Sequence, residues 1–589
     1  MTFEAGFTLA TLIVTVGVLT RELVPPAVAV LSAVVVLLLV GVVDAAQAFA
    51  GFSNPATLTV AALLVVSRAA QTTGTVERLL GHVLGGDRSD RRVLRRLVPA
   101  VAASSAVIAN TPIVAMLAPT LRTWAERVRR PPSRFLMPLS FAAILGGLIT
   151  TIGTSVTLLV SGLSDEAGVG AFGLFEITPL GLPIAVVGSA VLALLAPRVL
   201  PDRRSPHEQL ADHGRDYTFA MQVEPGGVLD GRDVRSAGLR SLAGVYLVRI
   251  ERDGHEIAPV APDALLYGGD VLTFVGQVDH VRDLRALPGL KSAEEGHVDL
   301  LDEHDHRLFE VVVGAASRAA GRTPKEISFR GRYGAAIVAI HRAGAPVRGK
   351  LGEVRIRPGD ALLLLADRDF ADRWSDRRDF LLIVPVDAEP PKVDRRAWFV
   401  LIVLAAMVVV AASGAVPLLH AALAAVVALL VTRVLSVPEA RQALDLDLLL
   451  LIAGAIGLGG AVQASGLAGW AAEAVTGVAT ASGPVAALVA VLIATLILTE
   501  LVTNAAAAAL MVPVALGVAA RIGSDPQAFA VVVAVGASAS FLTPIGYQTN
   551  TMVHGLGGYR FGDYWRLGLP LTAVVIVTTV LITPLVWDL

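Results

Sequence analysis

The sequence predicts an α-helical polytopic membrane protein, an inverted repeat of five spans plus one re-entrant hairpin per half, with a pair of small α+β domains inserted between the halves. Three observations carry this reading. The chain of 589 residues is 54% hydrophobic with a mean hydropathy of +0.67, a composition suited to a bilayer. Its apolar residues concentrate in 1–200 and 396–589, while 201–395 hold most of the charged side chains. The polar interruption Asn110-Thr111-Pro112 in the first half has a counterpart, Thr503-Asn504, in the second.

Composition also excludes function classes. There is no cysteine, so disulfides, thiolate metal sites and cysteine nucleophiles are ruled out. A net charge of −2 gives no nucleic-acid footprint. No HExxH, P-loop or G-x-S-x-G motif is present, so the reading is a non-enzyme. The stretch MTFEAGFTLATLIVTVGVLTRELVPP lacks the basic segment of a signal peptide, and residues 7–20 are therefore expected to be a retained span.

About 20 helical residues cross ~30 Å of hydrocarbon. Runs of that kind lie near 5–20, 24–43, 55–75, 134–164 and 174–199, then 396–414, 416–435, 446–464, 527–558 and 567–587. The stretches 97–121 and about 484–520 are read as hairpins. Loops 44–54, 163–173 and 465–484 carry no Lys or Arg and are expected outside. Residues 76–96 carry Arg78, Arg88, Arg91, Arg92, Arg95 and Arg96, and 121–134 carry Arg122, Arg127, Arg129, Arg130 and Arg134, so both are expected in the cytoplasm. A spanning helix at 97–121, kinked at its proline, would put one basic loop outside; a re-entrant hairpin keeps both inside. Its first arm, 97–109, reaches about 20 Å, which sets the tip near the bilayer midplane. This topology leaves both termini outside and the inserted domains in the cytoplasm of a multi-pass cell (inner) membrane protein.

The halves repeat in order. Asn110 and Asn504 each stand nine residues before a proline, Pro119 and Pro513. Upstream, AAQTTG ends at Gly74 and AVQASG at Gly466; downstream, TTIGTS and TPIGYQ place Gly153 and Gly546 at 43 and 42 residues from the respective asparagines. Five full spans per half is an odd number, so the halves run in opposite orientations, the plan of secondary transporters with midplane sites on broken helices.

Broken backbone at membrane depth is tolerated only in a protein interior or a wet cavity. Thr111-Pro112 reads as an N-cap followed by proline at the first helical position. Gly153-Thr154-Ser155, Thr503-Asn504 and Thr543-Pro544-Ile545-Gly546 mark three further breaks. Half-helix N-termini favour an anion, and the carbonyls, amides and hydroxyls around them suit a hard cation such as sodium. An anion and a cation at one site describe a symporter.

The two hairpin tips, the Gly-Thr break and the closing TPIGYQTNTMVHGLGGYRFGDYWRLGLPL resemble the divalent-anion/sodium symporter family of the ion transporter superfamily, over both membrane halves. The final motif, 543–570, is the most specific part. The resemblance implies a homodimer with a scaffold and a moving transport domain, carrying a dicarboxylate, sulfate or related oxyanion by an elevator motion with sodium, or a proton, as coupling ion and no other cofactor. It implies substrate contacts at Asn110, Thr111, Gly153, Thr154, Thr503, Asn504, Thr543, Pro544 and Asn550, and sodium ligands at Asn110, Gly153, Thr503, Asn504, Thr543 and Gly546. Family tips often read Ser-Asn-Thr or Asn-Asn-Thr, whereas residues 109 and 505 are alanine here, and Thr157 stands where the break usually ends in Asn.

Residues 217–285 and 307–375 form a second repeat with a constant offset of 90. Gly231-Arg232 aligns with Gly321-Arg322, Gly244 with Gly334, Arg252 with Arg342, Gly254 with Gly344, and Gly269-Asp270 with Gly359-Asp360. Runs such as GVYLVRI and GAAIVAI alternate with turn signals, as strands of small α+β units do. Each unit resembles a TrkA-C domain, the C-terminal half of the RCK module. The resemblance implies either a small regulatory nucleotide, such as a cyclic dinucleotide, bound between paired domains, or a dimerisation or rigid cap role. The Gly-rich Rossmann half is missing.

Other candidates have two readings each. Glu500, three residues before Thr503 in an apolar run, is a proton or cation relay or a hairpin buttress. Arg68 balances substrate charge or pairs within the scaffold. TPIGYQ has a likeness to the TVGYG potassium filter, but a filter needs four such loops around one axis. Asp302-Glu303-His304-Asp305-His306 reads as a solvated charge run rather than a metal cluster. The rivals to a symporter are an RCK-regulated potassium or other cation channel and a transporter-like sensor. The topology has a direct test: single cysteines at Arg88 and Arg130 in this cysteine-free chain are expected to be labelled by impermeant thiol reagents only from the cytoplasmic side. Opposite labelling would remove the hairpin.

Overall fold

The computed structural model describes residues 2–20, 24–74, 89–128, 130–202, 217–239, 245–252, 255–257, 260–261, 263–276, 287–292, 306–314, 317–342, 345–347, 351–374, 379–385, 396–470, 483–544 and 546–589. Arg78, Arg88, Arg129, Gly244, Gly254, Asp302 through Asp305, Gly344, Ile545 and much of the loop 465–484 lie outside the described residues. The chain divides into two compact units, 1–203 with 389–589, and 204–388.

In the helical unit both halves run through the same helix order. Phe3–Thr20, Pro26–Val40, the short Ala45–Phe49, Pro55–Thr72, Asp90–Ser105, Asn110–Arg127, Ser133–Gly147, Ser155–Glu166 and Thr178–Val199 are followed in the second half by Ala397–Ala412, Leu418–Val431, the short Val437–Gln442, Leu446–Ala464, Pro484–Leu501, Asn504–Ile522, Pro526–Ser538, Gln548–Gly557 and Phe561–Val586. Local chemistry sets many of the starts. Both short helices open on reciprocal capping boxes, Asp44 with Gln47 and Ser436 with Glu439. Asn54 caps Ala56 ahead of Pro55, and Asp525 caps Gln527 ahead of Pro526.

Packing is reciprocal between the halves. Pro55–Thr72 lies on Leu418–Val431, and its counterpart Leu446–Ala464 lies on Pro26–Val40. Ser155–Glu166 packs on Asn504–Ile522, as Gln548–Gly557 does on Asn110–Arg127. The last helices of the halves, Thr178–Val199 and Phe561–Val586, pack on each other. Close backbone approach also occurs in both halves: a Cβ on Gly181 would meet the Leu148 carbonyl at 1.7 Å, and one on Gly568 would meet the Phe541 carbonyl at 2.3 Å.

Ser133–Gly147 and Pro526–Ser538 are buried nearly all round and form the interior of the bundle. The outer helices present apolar side chains outward, among them Leu39, Val409, Val431, Leu581 and Leu585. Among the described residues six helices are long and apolar enough to cross a membrane. The expected spans 134–164 and 527–558 are each two helices, interrupted at 148–154 and 539–547. The expected cap at Thr111 is corrected: the helix starts one residue earlier, at Asn110. Proline fits because the first-turn N–H groups of a helix have no intrahelical partner to lose. The open ends of Asp90–Ser105 and Asn110–Arg127 are tied together, since Asp90 forms ion pairs with both Arg130 and Arg134. Arg134 also holds Asp202 at 2.5 and 2.7 Å.

The second unit contains two five-stranded antiparallel sheets. Strands β1 (Tyr217–Val223), β2 (Val245–Arg252), β3 (His255–Ile257), β4 (Val271–Gly276) and β5 (Leu290–Ser292) pair in the order β3-β2-β4-β1-β5. Strands β6 (His306–Val313), β7 (Ala335–Arg342), β8 (Ala345–Pro346), β9 (Ala361–Asp367) and β10 (Phe380–Pro385) pair as β10-β6-β9-β7-β8, the same order one repeat later. Arg252 grips Asp270 through two bonds of 2.8 and 2.7 Å and also donates to the Leu265 carbonyl. Arg342 does the same to Asp360, at 2.8 and 2.8 Å, and to the Arg355 carbonyl. Asp360 holds the Arg342 guanidinium above its ordinary value through this bond. Asp360 is 1% exposed, so its carboxylate relies on these donors and on the Arg357 N–H. Asp360→Ala is expected to lower protection of β7 and β9 by ~1.5–3 kcal/mol in hydrogen exchange on the full chain, with the first sheet unchanged.

Candidate functional site

The polar groups that interrupt the helices gather into two clusters, joined by the segment 543–550. The first cluster is built on the turn between Asp90–Ser105 and Asn110–Arg127 and on the break 148–154. Asn110 is 2% exposed. Its Nδ2 faces Ser105 Oγ at 2.6 Å, the Ala143 carbonyl at 2.9 Å and the Gly153 carbonyl at 3.2 Å, which fixes the amide orientation and turns Oδ1 to the Tyr547 hydroxyl at 2.8 Å. Thr154 Oγ1 lies 3.3 Å from the same hydroxyl and caps Ser155–Glu166 at Val156. Thr111 donates to Gln548 Oε1 at the limit of 3.5 Å. A residue of the second half thus completes the first tip.

Main-chain groups in and around this break find partners inside the protein. Thr150 donates to the Ala106 carbonyl, Thr178 to the Ile149 carbonyl at 2.6 Å, and Thr151 to the Gly173 carbonyl at 2.7 Å. The Thr151 N–H reaches the Leu174 carbonyl at 3.0 Å. An unpaired buried group here would cost about 1–3 kcal/mol.

The second cluster uses a carboxylate. Glu500 accepts from the Leu542 N–H at 2.9 Å and the Thr543 hydroxyl at 2.7 Å, and Thr543 Oγ1 accepts from the Gly546 N–H at 3.0 Å. Position 500 is the repeat equivalent of 106, and 543 of 150. Both halves therefore use a threonine to tie the break to the helix pair before it, through a main-chain carbonyl in one and a side-chain carboxylate in the other. Asn550 is fully buried: it accepts from Ser140 at 2.7 Å and donates to the carbonyls of Ser540 at 3.0 Å and Thr543 at 3.3 Å. The Pro544 carbonyl accepts from Thr551 at 2.7 Å.

Of the residues singled out from sequence, Asn110, Gly153 and Thr154 come together. Thr543, Gly546 and Glu500 form the second group, with Asn550 beneath it. Thr503 is exposed and caps the second arm at Ala506, 3.4 Å away. Asn504 is buried at 8% exposure, and no hydrogen bond among the described residues joins it to Thr543 or Gly546. Arg68 is partly buried and lies near Glu439, whose carboxylate is held below its usual range by Ser436 and, more weakly, by the Arg68 charge. Ser105, Ser140, Tyr547 and Gln548 were not singled out. For Tyr547 and Gln548 the signal was their place directly after Gly546 at the break.

Four helices, starting at Asn110, Ser155, Asn504 and Gln548, begin at a tip or a break. Their N-terminal ends, with carbonyls, hydroxyls and amides nearby, provide N–H donors for an anion and hard oxygen ligands for a cation. Continuous apolar helices around broken, internally satisfied ones define a multi-pass membrane transporter. A family profile described as citrate transporter (CitMHS) matches residues 11–536, and the chain belongs to that family. A Chlamydomonas reinhardtii protein described as a sulfur deprivation response regulator is 34% identical over 583 residues, covering 96% of this chain and 99% of that one. The transporter sll0640 of Synechocystis is 34% identical over 598 residues, covering 99% and 97%. Sodium/sulfate cotransporter 1 of Chlamydomonas reinhardtii is 26% identical over 736 residues, covering 90% and 83%.

The glycines at the breaks give a stability test. A Cβ on Gly153 would lie 2.6 Å from the Gly147 carbonyl, 2.8 Å from Gly147 Cα and 2.9 Å from the Ser105 carbonyl, all main chain. Gly153→Ala is expected to lower the melting temperature of the purified protein by an amount reflecting ~1–3 kcal/mol of overpacking. Gly460→Ala, with nothing within 4 Å, is expected to leave it unchanged or slightly raised.

Proposed function

We propose that this protein is a secondary active transporter that couples sodium to the uptake of a small anion, sulfate or a related oxyanion or dicarboxylate. The observation that carries the reading is the meeting of the first tip, the first break and the second-half break at Asn110, Gly153, Thr154 and Tyr547. Sodium coupling is supported by oxygen ligands at these breaks and by the sodium/sulfate cotransporter relatives. The substrate and sodium residues proposed are those named from the sequence, with Asn110, Gly153 and Thr154 central to the first tip and Thr543, Gly546 and Asn550 to the second.

The proposed architecture is an inverted repeat with a re-entrant first hairpin. The Asp90–Arg130 pair supports it, because a segment whose ends are tied returns to the side it left. Its arms of 16 and 18 residues reach about 24 and 27 Å, short of ~30 Å of hydrocarbon. Reciprocal packing supports the repeat. We further propose an elevator motion in a homodimer, and TrkA-C character for the twin sheets, on which their shared strand order and paired Arg-Asp clamps bear. A second reading, a transporter-like sensor, is favoured by the relative described as a response regulator.

Uptake of labelled sulfate into proteoliposomes under an imposed sodium gradient separates the readings: symport predicts sodium-driven accumulation, a channel cation current, and a sensor no flux. Within symport, Asn110→Ala and Asn504→Ala are each expected to weaken anion uptake by about 5- to 150-fold in affinity, the factor corresponding to ~1–3 kcal/mol for a lost buried partner. Near-wild-type uptake from both would move the site elsewhere.

A further inference from the structure

We propose that the Tyr547 hydroxyl competes with the coupling cation for the side-chain carbonyl of Asn110, which makes Tyr547 a positioning residue that sets how tightly the first tip holds its cation. The inference rests on the sodium-coupled reading and adds a residue and a sign to it.

Two main-chain carbonyls, Ala143 at 2.9 Å and Gly153 at 3.2 Å, stand on the Nδ2 side of the Asn110 amide. Rotating the amide by half a turn would press Oδ1 against both, oxygen on oxygen. The orientation is therefore locked, and Oδ1 has one direction, toward Tyr547 at 2.8 Å. Tyrosine has a single hydroxyl proton. Asn110 Oδ1 can only accept, so the proton lies between Tyr547 and Asn110, and Thr154, 3.3 Å away, donates its own proton to the tyrosine oxygen. The chain runs from Thr154 to Tyr547 to Asn110.

A cation that uses Asn110 Oδ1 as a ligand meets the positive end of that O–H dipole. The hydroxyl must swing toward Thr154, whose proton must then turn away. Cation binding at this tip thus costs the Tyr547–Asn110 hydrogen bond. Phenylalanine at 547 keeps the ring and removes the hydroxyl. Asn110 Oδ1 is then an orphaned acceptor in the cation-free state only, and the cation supplies the missing partner. The consequence runs against the usual expectation for a site residue: removing the hydroxyl tightens the cation. Because Tyr547 belongs to the second half and Asn110 to the first, the same bond makes occupancy of the first tip felt at the second break.

The test is binding of radiolabelled sodium to the purified full chain in detergent, which needs no knowledge of the anion. Tyr547→Phe is expected to lower the half-saturating sodium concentration by about five-fold or more, the lower end of the effect of orphaning a buried acceptor. In the Asn110→Ala background the same substitution is expected to have no effect, since Tyr547 acts through that amide. A ring-fluorinated tyrosine at 547, a stronger donor of nearly the same shape, is expected to raise half-saturation, and it serves where the phenylalanine variant does not fold. Half-saturation unchanged or raised by Tyr547→Phe, or an equal shift without Asn110, overturns the proposal. Wild-type protein that binds no sodium overturns the coupled reading as well, so the two failures are distinguishable.

Discussion

The constraint on which the helical unit depends is that a helix broken among apolar neighbours releases N–H and C=O groups that water cannot reach, and the protein itself must satisfy them. The two interruptions at 148–154 and 539–547 are where this is met. Around the first, Thr150, Thr151 and Thr178 each donate to a main-chain carbonyl, and main-chain bonds hold the N–H groups of Thr151 and Gly153. Around the second, Glu500 and Asn550 collect donors and acceptors from three residues of the break, Ser540, Leu542 and Thr543. Small residues are needed beside both, because satisfied backbone has to come close. Gly153 and Gly181 allow this at the first break and Gly568 at the second, where Gly546 leaves room for the side-chain oxygens of Ser540, Glu500 and Thr543.

The two halves match in helix order and packing but not in chemistry. Helix order, capping boxes, reciprocal packing and the threonine tie recur in both halves. The group that receives the tie does not: residue 106 offers a carbonyl, residue 500 a carboxylate. The first tip is thus lined by neutral groups, while the second carries a fixed acid held by an N–H and a hydroxyl. The Leu542 N–H is a fixed donor, as a buttress needs, while the Thr543 hydroxyl can both donate and accept, as a relay needs, so the relay and the buttress readings both fit these partners. In the proposed mechanism this asymmetry distinguishes two otherwise related cation positions.

The second unit shows how much a single ion pair can organise. Asp270 and Asp360 are each almost wholly buried at the start of a central strand, and each is gripped by an arginine from the neighbouring strand. The Gly-Asp dipeptide reads as a turn signal in sequence. In three dimensions the aspartate also receives the N–H of Tyr267 or Arg357, so the turn, the strand start and the cross-strand arginine are fixed by one carboxylate.

The sequence by itself determined the division into two apolar halves around a polar insert and the positions of the breaks, Asn110 and Gly153 among them. Those are legible because bilayer thickness, helix rise and the rarity of polar groups in apolar runs act locally along the chain. The offset of 90 in the insert was legible for a similar reason, since glycine and aspartate at turns are set by backbone geometry. Only the tertiary structure decided that Glu500 and not Asn504 closes on the second break, that Asn550 is a buried brace, and that Tyr547 completes the first tip. Contacts such as that of Tyr547 with Asn110, 437 residues away, depend on how whole helices pack. No local pattern encodes which side chain of one half reaches the backbone of the other.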